Sequence, residues 1–183
     1  MRAQNISNKQ TTYFISELIL LFVFIPVSFV LSYAIWVKIL IGFVGFGYVI
    51  FILLKVEKLR FKISKQLNWM RFFKRVLIQF ILITLILGGY VWLVDRDNLL
   101  SVVLNKPYLW MIMLFVYSVF SVYPQELIYR TFFFKRYQSL FKSDIILVLV
   151  NALLFSLAHL FFKNTLVLIM TFIGGILFAI TFL

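Results

Sequence analysis

The chain has 183 residues, of which 64% are apolar and only 13% are charged, and its mean hydropathy is +1.06. This composition excludes an ordinary soluble domain and predicts an integral membrane protein. The net charge of +12 does not indicate nucleic-acid binding, because the basic residues lie between apolar runs, and the absence of cysteine excludes disulfides and cysteine–zinc sites.

Six apolar runs predict an all-α fold, a polytopic bundle of about six transmembrane helices. In chain order the predicted spans are 13–33, 34–54, 76–94, 108–137, 144–162 and 165–183. Glu17 lies near the start of the first span and is expected at the membrane interface. A cleaved signal peptide is the alternative for this run, since Ser32-Tyr33-Ala34 imitates a cleavage site, but the run is longer than a usual signal-peptide core.

The stretch 55–75 carries eight basic residues and a single acidic one. By the positive-inside rule it predicts a cytoplasmic loop, and its apolar residues recur at helical spacing, so an interfacial helix on anionic membrane lipid is compatible with that prediction. Counting spans from this loop predicts that both termini and a basic turn at 135–143 are cytoplasmic. The expected location is a bacterial inner or plasma membrane. We expect no nucleic-acid partner, since no recognisable nucleic-acid motif accompanies the charge.

The fourth run is too long for one straight crossing, and Pro124 is the expected break, at which a second helix half begins. Gln125 and Glu126 would then lie in a first helical turn, where the helix dipole favours a carboxylate. Arg130 follows Glu126 by four residues and can pair with it on the same face. Ionisable side chains at membrane depth are costly, so they predict a functional site.

The fifth run begins at Asp144, the expected N-cap, and it carries Asn151, Phe155 and His159 at positions i, i+4 and i+8. His159 is the only histidine in the chain. This second partly polar stripe would enclose a small polar chamber if it faced Glu126. At about 1.5 Å of rise per residue, His159 and Glu126 differ in depth by roughly 7 Å, which a helix tilt could absorb.

These residues resemble the motifs of the CAAX-processing and bacteriocin-self-immunity family, the CPBP or Abi intramembrane proteases. That family carries Glu-Glu-x-x-x-Arg and, one helix later, Phe-x-x-x-His. Gln125-Glu126-x-x-x-Arg130 and Phe155-x-x-x-His159 match in order and separation. The resemblance covers roughly residues 108–183, the predicted protease-like core, whereas residues 1–107 are predicted to be N-terminal membrane helices.

The resemblance implies an intramembrane endopeptidase that cleaves a peptide or prenylated-peptide substrate with water activated by Glu126 and His159. Glu126 would be the base, or its charge would orient and retain Arg130, and Asn151 and Phe155 would support the site. Asn151 is equally well explained as a hydrogen-bonding link between helices. Where the family has its first Glu, this chain has Gln125, whose amide cannot take up a proton. The leading alternative is a non-catalytic immunity or scaffold protein whose chamber binds a peptide, and a small transporter is a third possibility.

Glu126 and His159 are also candidate ligands of a divalent metal such as zinc, although a catalytic zinc usually takes three protein ligands. The family's second His lies on a later helix, and Gly174-Gly175 predicts close packing by such a helix. Because the chain stops at Leu183, within an apolar run, we expect a truncated form of a longer protein with little or no protease activity. The aromatic residues that follow Glu126 are expected to serve packing and the interfacial belt; they are Tyr129, Phe132, Phe133, Phe134 and Tyr137.

Overall fold

The computed structural model describes residues 7–59 and 68–183, and within these ranges the chain is helical with no strand. The helices α1 to α7 are, in order, Asn8–Ser28, Ile35–Val56, Trp69–Val94, Ser101–Asn105, Pro107–Leu140, Asp144–Phe162 and Thr165–Phe182. All except the short α4 are long and apolar enough to cross a membrane. The prediction of an all-α fold with six spans is thereby confirmed, and the chain is an integral, multi-pass membrane protein.

Helix α3 begins at Trp69 rather than at Val76, so the described end of the predicted basic loop is helical. Asn68 caps the helix by accepting a hydrogen bond from the backbone N–H of Arg71 at 3.0 Å. Aromatic residues interleave with the basic ones here and form a ring cluster in which Trp69 stacks on Phe73, which favours helix over loop. Residues 60–67, the middle of the predicted interfacial helix, lie outside the described residues.

The predicted break at Pro124 is wrong, because α5 runs through it from Pro107 to Leu140. A wide π-type turn at Ser118–Val122 immediately precedes the proline, and a second one covers Leu127–Phe132. In such a turn the backbone already departs from the i to i−4 hydrogen bonds of a regular helix, which proline cannot complete. The helix therefore absorbs Pro124 without ending.

The chain divides into two compact units. The first contains the described residues of 1–60 together with 125–183, and the second contains those of 61–124. In the second unit no residue of α3 is buried, and its side chains are mostly apolar. Such a surface suits contact with lipid rather than with water.

The core of the first unit is formed by α1, α2, the second half of α5, α6 and Ala179 of α7. The ring of Phe22 on α1 contacts four aromatic rings of α5, at centroid distances from 5.2 to 6.3 Å; they are Tyr129, Phe132, Phe133 and Tyr137. A π-type turn at Leu20–Phe24 brings Phe22 onto the same buried side of α1 as Glu17, five residues earlier. In a regular helix, positions i and i+5 point about 140° apart, so the wide turn makes this face possible.

Helices α6 and α7 pack closely at Gly175. A Cβ atom added there would lie 2.9 Å from the Cα of Ala152, so the contact requires glycine. The small-residue face predicted at Gly174-Gly175 is thus covered by α6 at Gly175. The start of α6 is capped by Ser143, whose Oγ accepts from the N–H of Ile145 at 3.3 Å, and not by Asp144 as predicted.

Candidate active site

Helix α5 carries Glu126 and Arg130 one turn apart, as the spacing predicts. The Nε of Arg130 lies 3.9 Å from Oε2 of Glu126. This is an ion pair without a hydrogen bond, since 3.9 Å exceeds the hydrogen-bonding range. The two partners differ in burial, because the Arg130 side chain is 1% exposed and the Glu126 side chain is 45% exposed. The pair therefore buries the cation and leaves the carboxylate accessible.

Neutral acceptors from three helices hold the Arg130 guanidinium. Its Nη1 donates to Oδ1 of Asn151 on α6 and to the carbonyl of Tyr129 at 3.3 Å, and its Nη2 donates to the carbonyl of Gly175 on α7 at 3.4 Å. The Nδ2 of Asn151 donates in turn to the carbonyl of Tyr129 at 2.7 Å. We call this set, with Glu126, the Arg130 cluster.

The neutral acceptors of the Arg130 cluster leave the charge of the guanidinium uncompensated. Carbonyl and amide oxygens hold a guanidinium in place but carry no formal charge, so Glu126 is the only anionic group paired with it among the described residues. The buried Nε–H has no hydrogen-bond partner within the described structure. The Phe155 ring, 5.3 Å from the guanidinium carbon, adds a cation–π contact. A fixed positive charge thus faces one accessible carboxylate.

His159 lies just past the α-helical part of α6, which ends at Leu157, and before a tight turn at Leu160–Phe162. Its Nδ1 is 2.8 Å from the carbonyl oxygen of Phe155. Because a carbonyl only accepts, this contact requires the hydrogen on Nδ1, and the neutral ring then carries its lone pair on Nε2. The ring also packs edge-on against Phe155, at a centroid distance of 4.9 Å.

The predicted chamber is only partly assembled by these contacts. Asn151 and Phe155 meet Arg130, as expected of the second stripe. No hydrogen bond or ion pair joins His159 to Glu126 within the described residues. Gln125, which directly precedes Glu126 on α5, is half-buried. The arrangement therefore links α5 to α6 through Arg130 and Asn151 rather than through the two proposed water-activating groups.

A metal ion finds few ligands here. In the described ranges, 7–59 and 68–183, no three residues among His, Asp and Glu are grouped so that they could hold one. Glu126 and His159 alone do not make the three-ligand set that a catalytic zinc usually takes. The donor set does not fit such a centre, and the metal stays a prediction from the resemblance.

A second polar cluster surrounds Arg136, and sequence reasoning missed it. The Nε of Arg136 lies 2.9 Å from Oε2 of Glu17 on α1, and its Nη1 lies 2.9 Å from Oε1 of Glu57, just after α2. Glu17 also accepts hydrogen bonds from the hydroxyls of Tyr137, at 3.1 Å, and of Tyr48. We call these five residues the Arg136 cluster.

The Arg136 cluster corrects one prediction and adds to two others. Arg136 is a buried helical residue rather than part of a basic turn. Glu17, which was expected at the membrane interface, is buried against other side chains, and Tyr137 contributes a hydroxyl to Glu17 in addition to packing. The available signal was Glu17 itself, since a carboxylate within an apolar span needs a buried partner. The sequence does not say which of the 18 basic residues supplies it.

Fold and site together define an α-helical, multi-pass membrane protein in which a buried guanidinium holds an accessible carboxylate within a membrane span. Residues 107–183 match the family model described as type II CAAX prenyl endopeptidase, Rce1-like. The match confirms the resemblance to the CAAX-processing family for the part of the chain that contains Glu126, Arg130 and His159. A search of curated proteins and a search of solved structures each found no match.

Proposed function

We propose that this chain is an intramembrane endopeptidase of the type II CAAX kind, acting on a peptide or prenylated-peptide substrate. Detectable cleavage by the wild type would contradict the expectation of little or no protease activity. The observation that carries the proposal is the Arg130 cluster, in which neutral acceptors on three helices fix a cation beside an accessible carboxylate. The family match over residues 107–183 supports the same reading. Oriented charge of this kind, prepared before the substrate arrives, is what acyl transfer chemistry requires.

In the proposed reaction Glu126 acts as the general base. Its carboxylate takes a proton from a water molecule while the water oxygen forms a bond to the scissile carbonyl carbon. His159 accepts the second hydrogen of that water at Nε2 and so orients it. When the C–N bond breaks, the proton on Glu126 passes to the leaving amine, which restores the carboxylate. Arg130 holds Glu126 in place and does not itself contact the substrate.

The experiment is peptide cleavage in proteoliposomes, with a prenylated peptide and its unprenylated counterpart as substrates. Glu126→Gln and His159→Ala should each lower the cleavage rate by about 10²- to 10⁴-fold, the usual contribution of a general base or its equivalent. Asp144→Asn is the matched control, because this carboxylate is exposed at the start of α6 and away from the cluster. Rates that survive in both site variants, or fall equally in the control, contradict the proposal.

The second candidate is a non-catalytic immunity or scaffold protein that binds a peptide without cutting it. Two observations favour it: Gln125 stands where the family has Glu, and no hydrogen bond joins Glu126 to His159 within the described residues. Gln125→Glu restores the family's pair and should raise cleavage if the enzyme reading holds. Binding of the peptide with no cleavage, in the wild type and in Gln125→Glu alike, favours the scaffold.

A further inference from the structure

Helices α1 and α2 line a partly open cavity of about 590 Å³ that the proposed reaction does not use. Its walls are apolar and come from both helices, with Leu20 and Leu21 on one side and Leu40 and Val44 on the other. Gly45 lies in the α2 wall, where the missing side chain leaves room. The volume falls within the range of about 300–1,000 Å³ that is typical of small-molecule sites.

The polar groups of this cavity belong to a few residues near one end. Tyr13 and Tyr48 line it, and their hydroxyl groups lie 3.2 Å apart. Glu17 lies beside them, but its carboxylate is already occupied by Arg136 and by tyrosine hydroxyls. The cavity thus combines a long apolar body with a short polar end, as an amphiphile does.

The mouth of the cavity faces hydrocarbon. Leu20, Leu40 and Val44 are exposed, and in a multi-pass membrane protein exposed apolar residues of a span contact acyl chains. Water does not fill an apolar cavity, because it finds no hydrogen-bond partners there. Lipid therefore surrounds the mouth of the cavity, and an acyl chain is the group that can fill the cavity.

Three exposed lysines lie beyond the polar end along the two helices, although none of them lines the cavity. Lys9 lies one turn before Tyr13, and Lys55 lies seven residues after Tyr48, about 10 Å along the axis. Lys58 follows just after α2. Positive side chains at the membrane surface attract anionic lipid, and each contributes about 1 kcal/mol, or about fivefold in affinity.

We propose that this cavity binds one anionic glycerophospholipid, with an acyl chain between α1 and α2 and the phosphate at Lys9, Lys55 and Lys58. The acyl chain of the lipid gains no hydrophobic free energy by moving from the bilayer into the cavity. The lysines therefore supply the selectivity for an anionic headgroup. A smaller cavity of about 150 Å³ shares Gly45 and three apolar residues with the first, and it extends to Tyr129 and Ala158. The lipid chain would therefore end near neighbours of Arg130 and His159. This site stands whether or not the chain cleaves peptides.

The test uses the purified full chain in detergent, with phosphatidylglycerol or phosphatidylcholine of the same acyl chains added at equal concentration. Native mass spectrometry measures the bound lipid, and thermal unfolding measures its effect on Tm. Phosphatidylglycerol should form a one-to-one adduct at lower concentration than phosphatidylcholine and should raise Tm more. Lys9→Gln with Lys55→Gln should lower this preference about 25-fold, that is, about fivefold for each lysine.

Two glycines of α2 provide a matched pair of variants. A Cβ atom at Gly45 or at Gly47 meets nothing within 4 Å, so either position accepts a larger side chain, but only Gly45 lines the cavity. Gly45→Leu should abolish the phosphatidylglycerol adduct and its effect on Tm, whereas Gly47→Leu should retain both. Equal lipid binding by the two variants overturns the site. Equal binding of the two lipids by the wild type overturns the headgroup, and a one-to-one adduct formed only with a prenylated peptide overturns the phospholipid as occupant.

Discussion

Two arginines on α5, six residues apart, have opposite surroundings. Arg136 directs Nε, Nη1 and Nη2 to carboxylate oxygens of Glu17 and Glu57, two of them at 2.9 Å. Arg130 has one carboxylate, at 3.9 Å, and its Nη groups donate to neutral oxygens. One cation is fully neutralised by groups that are themselves largely enclosed, and the other is held in place but only loosely paired.

The difference separates a structural group from a site. A buried ion pair at hydrogen-bonding distance fixes the elements that carry it, here α1 and the end of α2 against α5. A buried cation whose one anion is accessible keeps charge available for a reacting group. We infer that the Arg136 cluster holds α5 in place on the side of α1 and α2, and that the Arg130 cluster presents Glu126 on the side of α6.

The largest effect on the free energy of unfolding is expected when the tighter ion pair, Glu17 with Arg136, is broken. Arg136→Leu leaves Glu17 buried without its cation, which should cost about 3–5 kcal/mol of unfolding free energy. Glu17→Leu with Arg136→Leu should recover part of that loss, since the buried charge is then gone. The measurement is unfolding of the purified protein by denaturant in mixed micelles. A double variant as unstable as the sum of the two single ones would mean that the pair does not couple.

The same pair shows where prediction from the sequence ends. Glu126 and Arg130 lie on one helix, so their spacing predicts their meeting, and helical periodicity places Asn151 and Phe155 on one face of α6. Glu17 and Arg136 are 119 residues apart, and only packing of α1 on α5 brings them together. Register along α1 is also shifted by the wide turn at Leu20–Phe24, which no residue type announces.

The span count was predictable because membrane helices must satisfy their backbone hydrogen bonds internally, so hydropathy alone marks them. Helix ends were less predictable, since they depend on local caps. Helix α3 begins early, at Trp69, because Asn68 caps it. Helix α6 is capped by Ser143 instead of by Asp144. Pro124 does not end α5, because the wide turn before it accommodates the proline, and that turn has no visible signature in the sequence.

An intermediate loss of stability is expected from changes at Gly175, where α7 contacts α6 and supports Arg130. Gly175→Ala places a Cβ atom 2.9 Å from the backbone of Ala152, which overpacks the α6–α7 contact and should cost about 1–3 kcal/mol. The shift should also disturb the Gly175 carbonyl that accepts from Arg130. Gly174→Ala is the control, because its nearest neighbour is a Phe178 side-chain atom at 3.8 Å. Equal Tm values for the two variants would show that the tight contact does not exist.

The smallest effect, and the sharpest test of the comparison, is the coupling energy between Glu126 and Arg130. Arg130→Leu should itself be costly, because Asn151 and two carbonyls lose a buried donor, at about 1–3 kcal/mol for each unsatisfied group. Glu126→Leu should cost little, since this side chain is 45% exposed.

In a double-mutant cycle the interaction between these two residues should be no more than about 1 kcal/mol, as for other partly exposed pairs. The same cycle on Glu17 and Arg136 should give a clearly larger value, because both side chains are buried and their atoms lie 2.9 Å apart. The cycles need only unfolding free energies of two sets of three variants and the wild type, and they do not depend on catalysis. A Glu126–Arg130 coupling as large as that of Glu17 with Arg136 would mean that Glu126 is locked as firmly as a structural carboxylate, and the distinction between the two arginines would fail.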